Sequence, residues 1–349
     1  MEPRPNENLP IIGITMGDPA GIGAEVIVKA LADPEIRQLG RFIIFGMNEA
    51  ITYVADMAEV DVFWWRDQHE HIQPYTHRVV VADYDEFNIL TTDLRTSSKQ
   101  GGMISYQFLL DAVDAWKRNL IHALVTGPIS KISWQLAGIK YPGHTEFLAE
   151  QFRTKRVTMM FAADKLKVAL ATIHIPLMDV RNRFTIGCVF QPIDLMNQAL
   201  TEWFGIARPK IGVCGLNPHA SDAGRFGDEE ERIIKPAITM AREAGIDVEG
   251  PFPADTLFLQ AVNGKYDGIV AMYHDQGLIP VKLLAFDSSV NLTLGLPLAR
   301  TSVDHGTAFD IVGKNQANPG SMKQAIKLAC QIASTQLQKA PAQRKMTWY

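Results

Sequence analysis

The chain has 349 residues, 47% of them hydrophobic and 21% charged, enough apolar content for one large or two ordinary folded domains and unlike a disordered composition. A formal charge of −4 argues against a basic nucleic-acid surface. No run reaches the roughly 18 apolar residues of a membrane span, and MEPRPNENLP lacks the basic-then-apolar order of a secretion signal. Cys188, Cys214 and Cys330 have no metal-type spacing and read as reduced thiols, so a cytoplasmic location is expected.

Short apolar runs alternate with longer helical patterns. IIGITM (11–16) reads as a buried strand and AEVIVKALAD (24–33) as the helix after it; RFIIFG (41–46) and HRVVVAD (77–83) are further strands. A helix over 105–119 precedes the strand ALVTGP (123–128), and strands over 167–176, 209–219 and 266–277 each run into a polar loop. DEEERIIKPAITMAREAG (228–245) has acids in its first turn and a final glycine, the polarity of a helix, with Pro236 a site for a kink. A last helix is expected over 322–339. This alternation predicts an α/β fold with a mainly parallel sheet covered by helices. The paired tryptophans of VFWWRDQ (62–68) are taken as local packing.

Three of the nine histidines share one context, the carboxyl end of a predicted strand: His174 in ATIHIPL, His219 in GLNPHASDAG and His274 in AMYHDQG. Ligands of open α/β sheets bind beyond those ends, so the three side chains can converge. Neutral imidazoles suit zinc and similar divalent ions, and three ligands leave a position for substrate. The gaps of 45 and 55 residues match no local metal motif, and each histidine alone is also a satisfactory structural one. His69, His71, His77 and His122 read as surface groups.

GDPAGIG (17–23) lies between a strand and a helix, where amides can hold an anion or simply make a tight turn; its glycine spacing is not the dinucleotide fingerprint. TGPISK (126–131) offers Lys131. PGHTE (142–146) offers His144 and Thr145, the latter equally a helix cap. Residues 274–310 hold Lys282, Asn291 and Arg300 on apolar strand-like or turn segments, where charge is costly unless paired. Phosphate or carboxylate would suit them, as would salt bridges to Asp287 or Asp304. Asp255 and His305 are further polar candidates.

Taken together, TMGDPAGIGAE, VTGPISK, PGHTE, GLNPHASDAGRFGDEE, GPFPADTLF, YHDQG and VNLTLGLPLARTSVDHGTAFDI resemble the 4-hydroxythreonine-4-phosphate dehydrogenase family of vitamin B6 biosynthesis along nearly the whole chain. The resemblance implies two α/β/α subdomains around a cleft, like isocitrate and isopropylmalate dehydrogenases, drawn here as 1–132 with 302–349 and 133–301. It implies a homodimer with the active site at the interface. The metal ligands would be His174, His219 and His274, the last from the partner, and the substrate contacts His144, Thr145, Lys282, Asn291 and Arg300. NAD or NADP and a divalent ion such as zinc, magnesium or cobalt would be the cofactors.

The implied reaction oxidises the C3 hydroxyl of a small 4-phosphorylated hydroxy acid, with decarboxylation of the β-keto acid, and Asp255 and Lys282 are candidates for the base. One branch of the family takes 4-phosphooxy-threonine and another 4-phospho-D-threonate or D-erythronate; YPGHTE, IPVKLL and GTAFDIVGK resemble the second. A third branch takes cis-dihydrodiols such as that from terephthalate; its members tend to lose the phosphate residues that are kept here, but IPVKLL resembles their form too, so this branch stays open. Three histidines with an open position would also suit a metal-dependent phosphoester hydrolase.

Overall fold

Runs rich in isoleucine and valine set the framework, because β-branched side chains fit a pleated surface covered on both faces. In the computed structural model, which describes residues 9–73, 77–88, 94–286 and 288–339, the strands are β1 (Ile11–Thr15), β2 (Arg41–Gly46), β3 (Trp65–Gln68), β4 (Val79–Asp83), β5 (Ala123–Thr126) and β6 (Thr158–Ala163), followed by β7 (Leu166–Leu170), β8 (Lys210–Cys214), β9 (Asp247–Phe252), β10 (Gly268–Ala271), β11 (Val290–Leu294) and β12 (Ala299–Ser302). Two compact units result: Met1–Arg153 with Leu296–Tyr349, and Thr154–Gly295. The boundaries expected after 132 and before 302 therefore move. Residues 133–153 join the first unit because Trp134, fully buried, donates its indole N–H to Ser105 at 3.0 Å. Residues 296–301 join it because β12 pairs with β5.

In the first unit the strand order is β3-β4-β2-β1-β5-β12, every pair parallel. The chain winds from β1 toward one edge and then returns to place β5 on the other side of β1. The order reverses between β1 and β5, the point where such sheets open a crevice beyond their carboxyl ends. Loops 16–22 and 127–130 occupy that point. Helix Lys99–Lys117 starts six residues earlier than the periodicity predicts, because the Ser98 hydroxyl caps it by accepting from the Gly101 amide at 2.9 Å.

The second unit has the order β11-β6-β7-β10-β8-β9. β11–β6 and β6–β7 are antiparallel and the remaining pairs parallel. Leu166, Val168, Leu170, Ile269 and Val281 form part of its core. The predicted helix over 228–245 is broken near Pro236, as the sequence suggests: a π-helical turn, Glu230–Ile234, leads into the helix Lys235–Glu243, whose first turn can accommodate a proline. One expectation fails. The stretch after β10 is not strand-like but a helix, His274–Ala285, with Pro280 inside it. Among the described residues no helix is long and apolar enough to cross a membrane.

Candidate active site

His174, His219 and His274 follow β7, β8 and β10 by three to five residues, and β10 lies between β7 and β8. Parallel neighbours end side by side, so the topology delivers all three histidines to one edge of the second unit. The His174 and His274 ring centroids are 5.6 Å apart. Two imidazoles on one ion at about 2.0–2.1 Å would stand roughly 5 Å apart centre to centre, so this pair fits a shared ion. His219 is not gathered with them: among the described residues no group of three or more His, Cys, Asp or Glu side chains is placed to hold a metal. The resemblance assigns His274 to the partner, whereas here it lies beside His174 of its own chain.

His219 sits on a loop of unusual conformation. His219, Ala220, Ser221, Asp222 and Ala223 have φ of 54°, 50°, 71°, 46° and 55°, five successive left-handed residues without a glycine. The buried Glu230 holds the start of that loop. Its Oε1 accepts from the amides of Leu216 and Asn217 at 2.8 and 2.7 Å, and its Oε2 from Asn217 Nδ2 at 2.9 Å.

His274 opens its helix, half-buried, with Nδ1 2.7 Å from Asp275 Oδ1. On the same helix Lys282 lies over the Phe286 ring at 5.2 Å, and burial pulls its ammonium pKa down. Ile279, Leu283, Leu284 and, just beyond, Phe286 are 58%, 81%, 56% and 71% exposed, an apolar surface on the element that carries His274. Asp255 is exposed in the first turn of helix Ala254–Val262. Asn291, on β11, has a buried Oδ1 with no hydrogen-bond partner, an acceptor that a ligand or water would satisfy.

The first unit holds a cationic cluster. Arg300 on β12 is 5% exposed; its Nε and Nη2 donate to Thr126 Oγ1 at the end of β5, at 3.1 and 2.6 Å. Its Nη2 is also 3.3 Å from Nδ1 of His144, the first residue of helix His144–Gln151. The imidazole pKa is held well below its ordinary range, first by burial and then by the charges of Arg300 and Lys131, so a neutral His144 accepts from the guanidinium. Burial brings Arg300 itself down to about 10, still cationic at neutral pH. Trp134 supports the His144 ring edge-on at 5.7 Å.

Several expectations need correction. GDPAGIG is not an open anion cradle, because the amides of Asp18, Gly21 and Ile22 donate to the carbonyls of Pro128, Asp18 and Thr307 and that of Ala20 to Asp18 Oδ1. Thr145 is not the cap of its helix; that position is Gly143. His122 is no surface group: its Nδ1 accepts from the Ile11 amide at 2.8 Å, and burial lowers its pKa to about 4. His69 is largely covered and stacks on Tyr84 at 4.0 Å. Of the paired tryptophans, Trp64 donates to Asn48 Oδ1 and the half-exposed Trp65 stacks on His77. His305 Nδ1 lies 3.0 Å from the Gly306 carbonyl, and Asp287 is outside the described residues. Sequence reasoning missed Thr126, whose hydroxyl is the anchor for Arg300. The pairing of β5 with β12 brings them together across 174 positions, a relation that carries no local signal.

The profile of the family described as pyridoxal phosphate biosynthetic protein PdxA matches residues 38–329. A 4-hydroxythreonine-4-phosphate dehydrogenase of Desulforapulum autotrophicum is 43% identical over 328 residues, covering 93% of this chain and 95% of that protein. A D-threonate 4-phosphate dehydrogenase of Cupriavidus necator is 41% identical, covering 94% and 99%. The crystal structure of a Klebsiella pneumoniae 4-hydroxythreonine-4-phosphate dehydrogenase superposes with a TM-score of 0.83 at 37% identity, over 93% and 99% of the two chains. The chain belongs to the pyridoxal phosphate biosynthetic protein PdxA family.

Proposed function

We propose that this protein is a nicotinamide-linked dehydrogenase that oxidises the C3 hydroxyl of a small 4-phosphorylated hydroxy acid, 4-hydroxythreonine 4-phosphate or D-threonate 4-phosphate, with loss of carbon dioxide from the resulting β-keto acid. The relatives' names support the class of substrate. The observation that carries the reading is the Arg300 cluster: a buried guanidinium beside a neutral imidazole that also feels the charge of Lys131. Positive field in a poorly solvated place suits a dianionic phosphate, and the planar fork of arginine fits its oxygens.

In this reading Arg300, His144 and Thr145 hold and orient the phosphate. Neutral His144 accepts from Arg300 and so fixes the direction of the fork. Asn291 orients the hydroxy-acid end through its buried carbonyl oxygen. Lys282, whose ammonium pKa is pulled down by burial, is the better candidate for taking the hydroxyl proton; the exposed Asp255 is the alternative. His174, His219 and His274 are the ligands proposed for a divalent ion. Such an ion supplies Lewis-acid polarisation of the alcohol and stabilises negative charge during decarboxylation. Because one chain gathers two of these imidazoles, a third donor from a second copy would complete the set, and the apolar surface of helix His274–Ala285 supports a homodimer. The hydride acceptor is NAD or NADP; the glycine loop, with its amides committed, does not suit the dinucleotide's pyrophosphate.

The test is absorbance of reduced nicotinamide with 4-hydroxythreonine 4-phosphate, D-threonate 4-phosphate and a cis-dihydrodiol in parallel, each with NAD and NADP and added zinc, magnesium or cobalt. Turnover of either phosphorylated acid is expected. Turnover of the dihydrodiol alone, or release of inorganic phosphate without reduced cofactor, would overturn the proposal.

A further inference from the structure

We infer that Asp18, in the glycine loop after β1, is a positioning residue for the phosphate-binding cluster, acting through Ser133 on helix Lys131–Leu136; this rests on the phosphate reading above. Asp18 is 1% exposed. Its Oδ2 accepts from the Ser133 hydroxyl at 2.7 Å and its Oδ1 from the Ala20 amide at 3.1 Å. The Asp18 amide donates to the Pro128 carbonyl at 2.9 Å. Ser133 Oγ in turn accepts from the Ser98 amide, and the Ser133 amide donates to Ser130 Oγ. The carboxylate ties the loop after β1 to Ser133, and Ser133 Oγ extends the tie to the start of helix Lys99–Lys117.

The space around this junction is closed. A Cβ on Gly17 would lie 2.2 Å from the Pro128 carbonyl oxygen, one on Gly102 2.1 Å from that of Ser133, and one on Gly101 2.7 Å from Asp18 Oδ1. Helix Lys131–Leu136 has six residues, too few to hold its own direction, so the junction sets it. That helix carries two of the groups that act on His144: Lys131 through its charge and Trp134 through its ring. An apolar side chain could fill the Asp18 position without the cost of burying a carboxylate. What the carboxylate adds is two acceptor edges, one on its own loop and one on Ser133, and through Ser133 the placement of His144 beside Arg300.

The test uses the full-length protein and the variants Ser133→Ala and Asp18→Asn. Ser133→Ala removes one hydroxyl, and Asp18→Asn keeps the Oδ1 acceptor. KM and kcat with D-threonate 4-phosphate, calorimetric Kd for inorganic phosphate and the melting temperature are measured for each. KM and the phosphate Kd should rise about tenfold, the scale of one misplaced hydrogen bond, with kcat changing less than about twofold. A lowered melting temperature with KM and Kd unchanged would mark a merely structural role and overturn the inference. Should Asp18→Asn fail to fold, Ser133→Ala decides on the same criteria. A wild-type protein that neither turns over a phosphorylated acid nor binds phosphate overturns the phosphate reading and this inference with it. A wild-type protein that does both while Ser133→Ala matches it overturns the inference alone.

Discussion

Arg300→Lys keeps the charge of the cationic cluster and removes its fork. Arg300 spends Nε and Nη2 on Thr126 Oγ1 at 3.1 and 2.6 Å and brings Nη2 within 3.3 Å of His144 Nδ1, so several directed donors hold one geometry. A lysine has one nitrogen on a flexible stem and cannot keep the threonine anchor, the imidazole contact and a phosphate oxygen together. A hydrogen bond to a charged group contributes about 1.5–3 kcal/mol, so losing one should lower kcat/KM roughly 10- to 150-fold. Most of the loss should appear in KM, because the phosphate takes no part in the bond changes at the C3 hydroxyl. Initial rates of nicotinamide reduction with D-threonate 4-phosphate, and competitive inhibition by inorganic phosphate, read both effects. The variant's KM and phosphate inhibition constant should rise by similar factors. If both stay at wild-type values while the protein remains folded, Arg300 does not hold the phosphate and the proposed orientation is wrong.

His122, with a folded pKa near 4 against about 6.5 when exposed, should cost stability as pH falls through that window. The unfolded chain takes up a proton that the folded one refuses, a loss on the order of 3 kcal/mol by pH 4; urea unfolding at several pH values should show a smaller fall for His122→Asn. Gly17→Ala places a side chain at φ 81° and 2.2 Å from a carbonyl oxygen, so denaturant titration should show a loss of about 2–5 kcal/mol. An unchanged midpoint would mean that the loop packs differently. Leu283→Glu puts a charge on the apolar surface of helix His274–Ala285; light scattering should then report monomers where the wild type forms the proposed dimer, together with loss of turnover. Chelator treatment should abolish turnover and added divalent ion restore it, and full activity in metal-free protein would remove the three histidines from the reaction.

Much of the framework is legible because strands β1, β2, β4, β5, β7, β8 and β10 are short apolar runs that end in glycine, proline or polar turns. The three histidines are readable by the same logic, since each follows such a run. Helix His274–Ala285 hides because the apolar stretch before it is a true strand and Pro280 interrupts the helical pattern. β6 and β11 are harder still, as their antiparallel pairing joins segments about 130 positions apart. His122 looks polar in sequence, and its role as acceptor for the Ile11 amide exists only once β1 and β5 lie side by side. The glycine loop misleads for a related reason. Its amides are spent on Pro128 and Thr307, partners that no local motif announces.

The left-handed run from His219 to Ala223 bears on which part of the second unit opens first. Each of its residues forgoes roughly 1–2 kcal/mol relative to ordinary backbone, so the segment cannot serve as a nucleus. The start of its loop is held by the carboxylate of Glu230, which lies later in the chain, on the turn that leads into helix Lys235–Glu243. The position of His219 therefore depends on that turn being in place. The loop that carries the histidine should be among the first to open in hydrogen exchange. Opening of that loop would release His219 while the rest of the second unit stays folded.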